Sequence, residues 1–125
     1  MKSLLFLHFY TLSIFFACSQ TSSSSFIGRI YILESQETFF QITSKDSVTY
    51  YTINEFGEQK VKKHKATWNM LNDSTIRLNV VYSNSENVEF ILNYNEENDY
   101  WIDDDYISAY RRMKRIKFND FELSE

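Results

Sequence analysis

The sequence predicts an all-β domain of about eight antiparallel strands. Apolar residues alternate with polar residues at period two along most of the chain, which is the pattern of strands with one buried face. The connecting segments are short and rich in Asn, Asp, Ser and Glu, and the first three of these residue types favour turns. Short loops make consecutive strands pair antiparallel. We therefore expect a meander that closes into a small barrel, with a β-sandwich as the alternative.

The clearest element is a hairpin made of residues 75–82 and 88–94, joined by a polar loop at 83–87. These two runs show the cleanest alternation in the chain, although Val81 and Ile91 put an apolar residue on the outer face of each, and the loop has hairpin length. Arg77 and Glu89 lie on the predicted outer face. The predicted inward residues are Ile76, Leu78, Val80, Tyr82, Val88, Phe90, Leu92 and Tyr94.

The remaining strands follow the same pattern before and after this hairpin. The chain length fits one domain, and no segment carries a helical apolar stripe with caps. The other predicted strands are 26–33, 38–43, 47–53, 59–70, 100–103 and 106–116. The predicted organisation is a signal peptide at 1–17, a tether at 18–25, a β domain at 26–118 and a C-terminal tail at 119–125.

The N-terminal residues predict export from the cytoplasm. Lys2 precedes an apolar stretch at 4–17 that ends abruptly at Cys18, the one cysteine of the chain. This stretch is too short to cross a bilayer core of about 30 Å. It fits the apolar region of a signal peptide.

Residues 14–18, Ile-Phe-Phe-Ala-Cys, resemble the lipobox of bacterial lipoproteins. The resemblance implies cleavage between Ala17 and Cys18 and attachment of two or three acyl chains to Cys18, enough for stable membrane anchoring. Ordinary secretory cleavage that leaves a free thiol is the alternative. Ser19 follows the cysteine, and by the same resemblance we expect the outer membrane of a bacterial envelope rather than the inner one.

A second resemblance involves the meander, residues 68–78 and the basic end of the last strand at 110–114. These features look like those of small bacterial lipocalin-like lipoproteins, over most of residues 26–116. Lipocalins open with Gly-x-Trp, and the tryptophan packs beneath an arginine of the last strand. Here Gly28 is kept and Ile30 replaces the tryptophan, so Ile30 is expected beneath Arg111 or Arg112.

Composition excludes several classes of function. The net charge of −4 gives no reason to expect a nucleic acid partner, and two glycines leave no phosphate-binding loop. A single cysteine excludes an internal disulfide framework and any multi-cysteine metal site. We expect no cofactor, no metal and no catalytic residue, and hence no enzyme.

Charged segments offer few candidate sites. His64 stands among Lys62, Lys63 and Lys65, so we expect a surface residue whose protonated form is disfavoured. The acidic run 103–105, with Glu96, Glu97 and Asp99 before it, is interpreted as a solvated turn. The basic stretches 60–65 and 111–117 are interpreted as solvated strand edges, or alternatively as a positive face for anionic lipid or an acidic partner.

The aromatic residues carry the functional hypotheses. The first hypothesis is a membrane-anchored, non-catalytic module that binds a small apolar or amphipathic ligand. The alternative is a structural, protein-interaction or inhibitor lipoprotein of the cell envelope, and a hydrolase is a third reading. A hollow barrel would favour the first hypothesis, and a solid core with an exposed aromatic patch would favour the second. The predicted ligand-binding residues are Trp68, Tyr82, Phe90, Tyr94 and Trp101.

Overall fold

The computed structural model describes residues 23–33, 35, 38–54, 60–82, 84–103, 105, 108–118 and 120–125. The predicted signal peptide, its cleavage site at Ala17 and the lipidation site at Cys18 lie outside the described residues. In the part of the chain that is described, no helix is both long enough and apolar enough to cross a membrane.

Eight strands form a closed antiparallel barrel. Each of these strands pairs with the one that follows it in the chain, and the eighth closes the barrel by pairing with the first. The predicted barrel is thus confirmed, and the alternative of a β-sandwich is wrong. The strands are β1 Ile30–Leu33, β2 Thr38–Ile42, β3 Ser47–Asn54, β4 Lys60–Asn72, β5 Thr75–Val81, β6 Asn87–Asn95, β7 Tyr100–Asp103, β8 Ser108–Met113, β9 Arg115–Phe118 and β10 Phe121–Ser124.

The hairpin of β5 and β6 has the predicted faces. Leu78 is 1% exposed and pairs with Phe90 across the two strands. Phe90 is half-buried and packs against the core. On the outer face, Nε of Arg77 donates a hydrogen bond to Oε1 of Glu89, at a distance of 3.0 Å.

Large side chains fill the barrel interior. They come from all eight barrel strands and from the segment that precedes β1, and most are almost completely buried. The buried core residues are Phe26, Tyr31, Phe40, Ile42, Val48, Tyr50, Ala66, Trp68, Ile76, Leu78, Val80, Leu92, Trp101 and Tyr110. An eight-stranded barrel is just wide enough for side chains to fill, and here they occupy it.

The barrel has two different ends. One end, called the N-terminal end, contains the start of β1 and the end of β8. The turns at 73–74 and 96–99 are at the same end. At the opposite end, called the mouth, β3 gives way to β4 and β5 to β6. Any binding site at the mouth is therefore separated from the chain's entry point by the length of the barrel.

The N-terminal end is closed by the segment before β1. Ser23–Phe26 form a 3-10 helix, which includes the last three residues of the predicted tether. Phe26 is buried in the core. Gly28 then has a φ of +93°, a conformation that glycine adopts without steric cost. The predicted strand at 26–33 consequently begins only at Ile30.

The C-terminal residues form a hairpin rather than a tail. The predicted strand 106–116 is interrupted at Lys114, and β9 and β10 pair as a separate two-stranded sheet. This hairpin covers an apolar patch on the outer wall of the barrel, which explains why the chain does not remain a free tail: the patch would otherwise face water. The residues of this outer cluster are Ile30, Ile32, Phe39, Tyr51, Ile53, Val61, Ile116, Phe118, Phe121 and Leu123.

Candidate functional site

Asp99 organises the N-terminal end of the barrel. Its carboxylate accepts hydrogen bonds from the hydroxyls of Tyr94 and Tyr31 at 2.7 and 2.8 Å. Arg112 donates to it at 2.9 Å and Arg29 at 3.4 Å. Burial by itself would raise the pKa of Asp99, but the hydrogen bonds from Tyr94, Arg112 and Tyr31 lower the pKa below its usual value. These bonds fix the closed end, so we interpret this cluster as structural.

The expected place of Ile30 beneath a C-terminal arginine is wrong. Ile30 is fully buried, but in the outer cluster under the C-terminal hairpin. Strand alternation puts Tyr31 inside, and Tyr31 is the register partner of Arg112. At the N-terminal end of the barrel, the ring that lies under a guanidinium is that of Phe26, whose centroid is 5.3 Å from Cζ of Arg29, an arginine of the first segment rather than of the last strand. An aromatic ring does close the barrel, but it precedes the predicted position by four residues.

The predicted ligand-binding aromatics separate into two groups and a single residue. Tyr94 and Trp101 pack on each other at the N-terminal end, with ring centroids 4.6 Å apart. Trp68 is buried and its indole donates to the carbonyl of Ser44 at 2.8 Å. Tyr82 and Phe90 are half-buried and both contact Tyr50. Of these groups, the pair Tyr82 and Phe90 lies toward the mouth.

The mouth holds a shallow, open cavity of about 380 Å³. Tyr50 stacks on Phe90 with ring centroids 5.9 Å apart. The ring of His64 meets the ring of Tyr82 edge to face, with centroids 4.8 Å apart. Nε2 of His64 is 2.8 Å from the hydroxyl of Thr52. The residues that line this space, called the mouth cavity below, are Thr52, Lys62, His64, Tyr82, Asn84 and Glu86.

The expectation that His64 is a surface residue is wrong, since it is 6% exposed. Along β4, every second residue enters the barrel, and His64 shares the inner face with Ala66 and Trp68. The neighbouring lysines concealed this parity. As expected, the pKa of His64 is lowered; burial is the main cause and the charge of Lys62 the second.

Among the described residues, the lining of the mouth cavity holds two opposite charges. Burial, together with Tyr50, raises the pKa of Tyr82 to about 12, so its hydroxyl stays protonated and can both donate and accept. His64 stays neutral because its pKa is lowered. The charged groups that line the cavity are then the ammonium of Lys62 and the carboxylate of Glu86.

The acidic run is less solvated than expected. Asp103 is 3% exposed and its carboxylate accepts from the amide of Asp105 at 3.1 Å. Asp99 belongs to the cluster at the N-terminal end. Glu96 and Glu97 are exposed, as expected. Within the described residues, no group of three or more His, Cys, Asp and Glu side chains could hold a metal ion.

Two further grooves differ from the mouth in charge. The outer groove, of about 560 Å³, runs over β3, β4 and β5 and contains Lys63 and Lys65. The groove at the N-terminal end, of about 400 Å³, contains Asp73, Glu96 and Asp99.

The arginines of the basic stretch 111–117 contact other side chains of the same molecule. Arg112 binds Asp99, and Arg115 forms an ion pair with Glu122 at 2.7 Å. The guanidinium of Arg111 lies 5.3 Å from the ring centroid of Tyr100. These contacts give the stretch a structural role on the barrel surface.

Comparison with protein-family models, curated proteins and solved structures finds no match. The class of the protein rests on its own architecture, an eight-stranded antiparallel barrel with consecutive strand order. This architecture is consistent with a lipocalin-like fold.

Proposed function

We propose that the protein is a lipid-anchored, non-catalytic binding module of the bacterial cell envelope that takes an amphipathic ligand at the mouth of its barrel. The observation that carries the proposal is the mouth cavity, where half-buried Tyr82 meets polar groups from β3, β4 and the β5–β6 loop. Aromatic walls with a few converging polar groups are characteristic of ligand sites in barrel mouths.

The filled interior determines where such a ligand can bind. A carrier that encloses its ligand needs an internal cavity, and here Trp101, Tyr31 and Tyr50 are among the side chains that occupy the barrel axis. The mouth cavity has a volume near the lower limit of about 300 Å³ for small-molecule sites. Shallow binding at the mouth is therefore favoured over enclosure.

The proposed anchor gives the mouth an orientation. Cys18 precedes the first described residue, Ser23, by five residues, which span at most about 18 Å. The 3-10 helix that begins at Ser23 lies at the N-terminal end. Lipidated Cys18 would hold that end close to the membrane and direct the mouth away from it. In this orientation the mouth is accessible to molecules in the surrounding compartment.

Native mass spectrometry of the delipidated protein, isolated from its own cells, tests the proposal. We expect the protein to carry a small-molecule adduct that is released on mild activation. Isolation as a bare chain, or as a stable complex with a second protein, would argue against a small-ligand module.

The second candidate function is a protein-interaction or inhibitor role, and the outer groove favours it. The groove is larger than the mouth cavity and carries Lys63 and Lys65 in an otherwise acidic protein. Positive patches steer acidic partners and determine the register of binding. A protein partner that co-purifies with the wild type but is lost from the variant Lys63→Glu/Lys65→Glu would establish this function instead.

A further inference from the structure

We propose that the mouth cavity binds a single ring of a carbohydrate, an inference that rests on the proposed small-ligand function. The two properties of the cavity that define this ligand class are its shallow shape and its mixture of an aromatic wall with uncharged and oppositely charged polar groups.

The shape of the cavity excludes a long apolar chain. Tyr50 and Phe90 stack at an interplanar angle of 17° on the core side of Tyr82, and Tyr50 is almost fully buried. Below them the interior is filled by the core. An acyl chain buries its length only in a deep apolar channel, so the cavity suits a short, compact ligand.

The aromatic wall suits the flat face of a sugar. Tyr82 lines the cavity, is half-buried and is fixed by its contacts with His64 and Tyr50. One face of a pyranose ring presents C–H groups, which carry partial positive charge and pack against the negative face of an aromatic ring. A preorganised tyrosine supplies this contact at little cost in conformational entropy.

The rim supplies donors and acceptors for the hydroxyls around a sugar ring. The amide of Asn84 donates to Glu86 at 3.2 Å, and this pair belongs to the β5–β6 loop. Across the cavity from this loop, Thr52 of β3 and its register partner Lys62 of β4 also line the cavity. A carboxylate can accept from two adjacent hydroxyls, while an ammonium or amide donates to a third.

The mouth cavity, the outer groove and the groove at the N-terminal end differ in the charge of ligand that they favour. The outer groove contains two lysines, Lys63 and Lys65, which favour an anion. The groove at the N-terminal end contains three carboxylates and one arginine. Among the described residues that line the mouth cavity, Lys62 and Glu86 cancel in net charge, so a neutral, hydroxyl-rich ligand is the best match there. Such a ring can belong to a free sugar or to a glycan chain.

Saturation-transfer NMR on the full, lipidated protein in a detergent without a sugar headgroup tests the inference. The probes are glucose, N-acetylglucosamine and their β-1,4-linked disaccharides. We expect transfer to the ring protons of at least one probe, with a dissociation constant of about 1 mM, as for a single ring in a shallow site. Tighter binding of the disaccharide indicates a glycan chain as the source, and equal binding indicates a free or terminal sugar.

Three variants assign the binding to the mouth. Tyr82→Ala should abolish transfer, while Tyr100→Ala, which alters a tyrosine at the other end of the barrel, should leave it unchanged. Should Tyr82→Ala fail to fold, Glu86→Gln at the exposed rim provides the test. We expect it to weaken binding by about tenfold, because a charge-assisted hydrogen bond is replaced by a neutral one.

Three results would overturn the inference in distinguishable ways. Absence of transfer to all four sugars, together with a small-molecule adduct that is lost from Tyr82→Ala, rejects the carbohydrate but keeps the proposed function. Sugar binding that is unaffected by both Tyr82→Ala and Glu86→Gln rejects the mouth as its site. A co-purifying protein that binds independently of Tyr82 rejects the inference and the proposed function together.

Discussion

Asp99 shows how single residues acquire roles that their neighbours in sequence do not share. Glu96, Glu97 and Asp99 occupy one turn, yet only Asp99 among them accepts from tyrosine and arginine side chains of other strands. Its φ of 51° is a left-handed conformation that aspartate tolerates better than most residues. Tyr94 is five residues away along the chain, but Arg112 and Tyr31 are 13 and 68 residues away, so barrel closure is needed to complete this cluster.

We expect Asp99→Asn to destabilise the protein by about 2 kcal/mol at pH 7, because charge-assisted bonds from Arg112, Tyr31 and Tyr94 are weakened together. The pKa of Asp99 is lowered in the folded state, so its contribution is present above its usual 3.8 and is lost as pH falls below that value. Urea unfolding of both proteins should show the difference at pH 7 and a smaller one at low pH. Glu96→Gln, at an exposed site, should change stability by less than about 0.5 kcal/mol; an equal loss in this control would contradict the assigned role.

His64 shows the opposite case, in which the local sequence was sufficient to indicate that the side chain is buried. Its position two residues before Ala66 and four before Trp68 puts all three on one face of a strand. The alternation was visible in the sequence, but the surrounding lysines led to the surface interpretation. Parity along a long strand is a better guide to burial here than the charge of adjacent residues.

Among the elements, the hairpin of β5 and β6 was predicted with its faces and loop. Two clear alternations and a polar loop favour the pairing that buries Ile76, Leu78, Val80 and Leu92, because a slip by one residue would turn them to the outer face. Strand existence was also predicted correctly for the other six barrel strands. The observed strand bounds differ from the predicted ones where a turn precedes the strand. For example, β1 begins at Ile30 rather than at residue 26, because Gly28 has a positive φ.

Truncation of Leu78 to alanine should cost about 2–5 kcal/mol, since the residue is fully enclosed in the barrel. Phe90→Ala should cost less than a full core truncation, because Phe90 is half-buried. Arg77→Ala and Glu89→Ala, which break an exposed ion pair on the outer face, should each stay within about 0.5 kcal/mol. Chemical denaturation of the four variants measures these changes, and similar losses on both faces would refute the assigned register.

The sequence did not predict the C-terminal hairpin, because the apolar residues of β9 and β10 are buried only against the outer wall of the folded barrel. Ile116, Phe118, Phe121 and Leu123 cover an outer-wall patch, and the sequence alone does not show that an outer face of β1 and β2 is apolar enough to need a cover. Glu125 fastens the end of this hairpin by accepting from the amide of Ile30 at 2.8 Å.

Within β9, Ile116→Ala should destabilise the protein by about 2–4 kcal/mol, because Ile116 is buried in the outer cluster. Lys117→Ala, at the next position and exposed, is the matched control and should stay within about 0.5 kcal/mol. Binding of an apolar dye should rise for Ile116→Ala only. If neither variant alters dye binding or stability, the hairpin does not protect the outer wall.

At the scale of the whole molecule, strand number and loop length favoured a closed barrel, since an open meander would leave two unpaired edges, but a β-sandwich remained an alternative that the pattern alone did not exclude. The position of a binding site did not follow. The five aromatic candidates all point inward, but core packing separates Trp68 and Trp101 from Tyr82 at the mouth. Which inward residues reach solvent depends on how far each strand extends, and alternation does not encode that.

Cys18→Ser should release the protein from membranes or leave it as an unprocessed precursor, because the proposed acyl chains attach to that sulfur. Membrane fractionation with mass determination of the chain distinguishes the wild type from the variant. Ser19→Ala, next to the proposed anchor, should fractionate like the wild type. A processed Cys18→Ser protein that stays with the membrane would show that the lipid anchor is not at this residue.

The most direct test of a binding module with its site at the mouth is native mass spectrometry of three delipidated proteins isolated from the same cells. The proteins are the wild type, Tyr82→Ala and Tyr100→Ala. We predict that a small-molecule adduct accompanies the wild type and Tyr100→Ala and is missing from Tyr82→Ala. An adduct of equal abundance on all three folded proteins, or a protein partner in place of the adduct, would contradict a ligand site at the mouth.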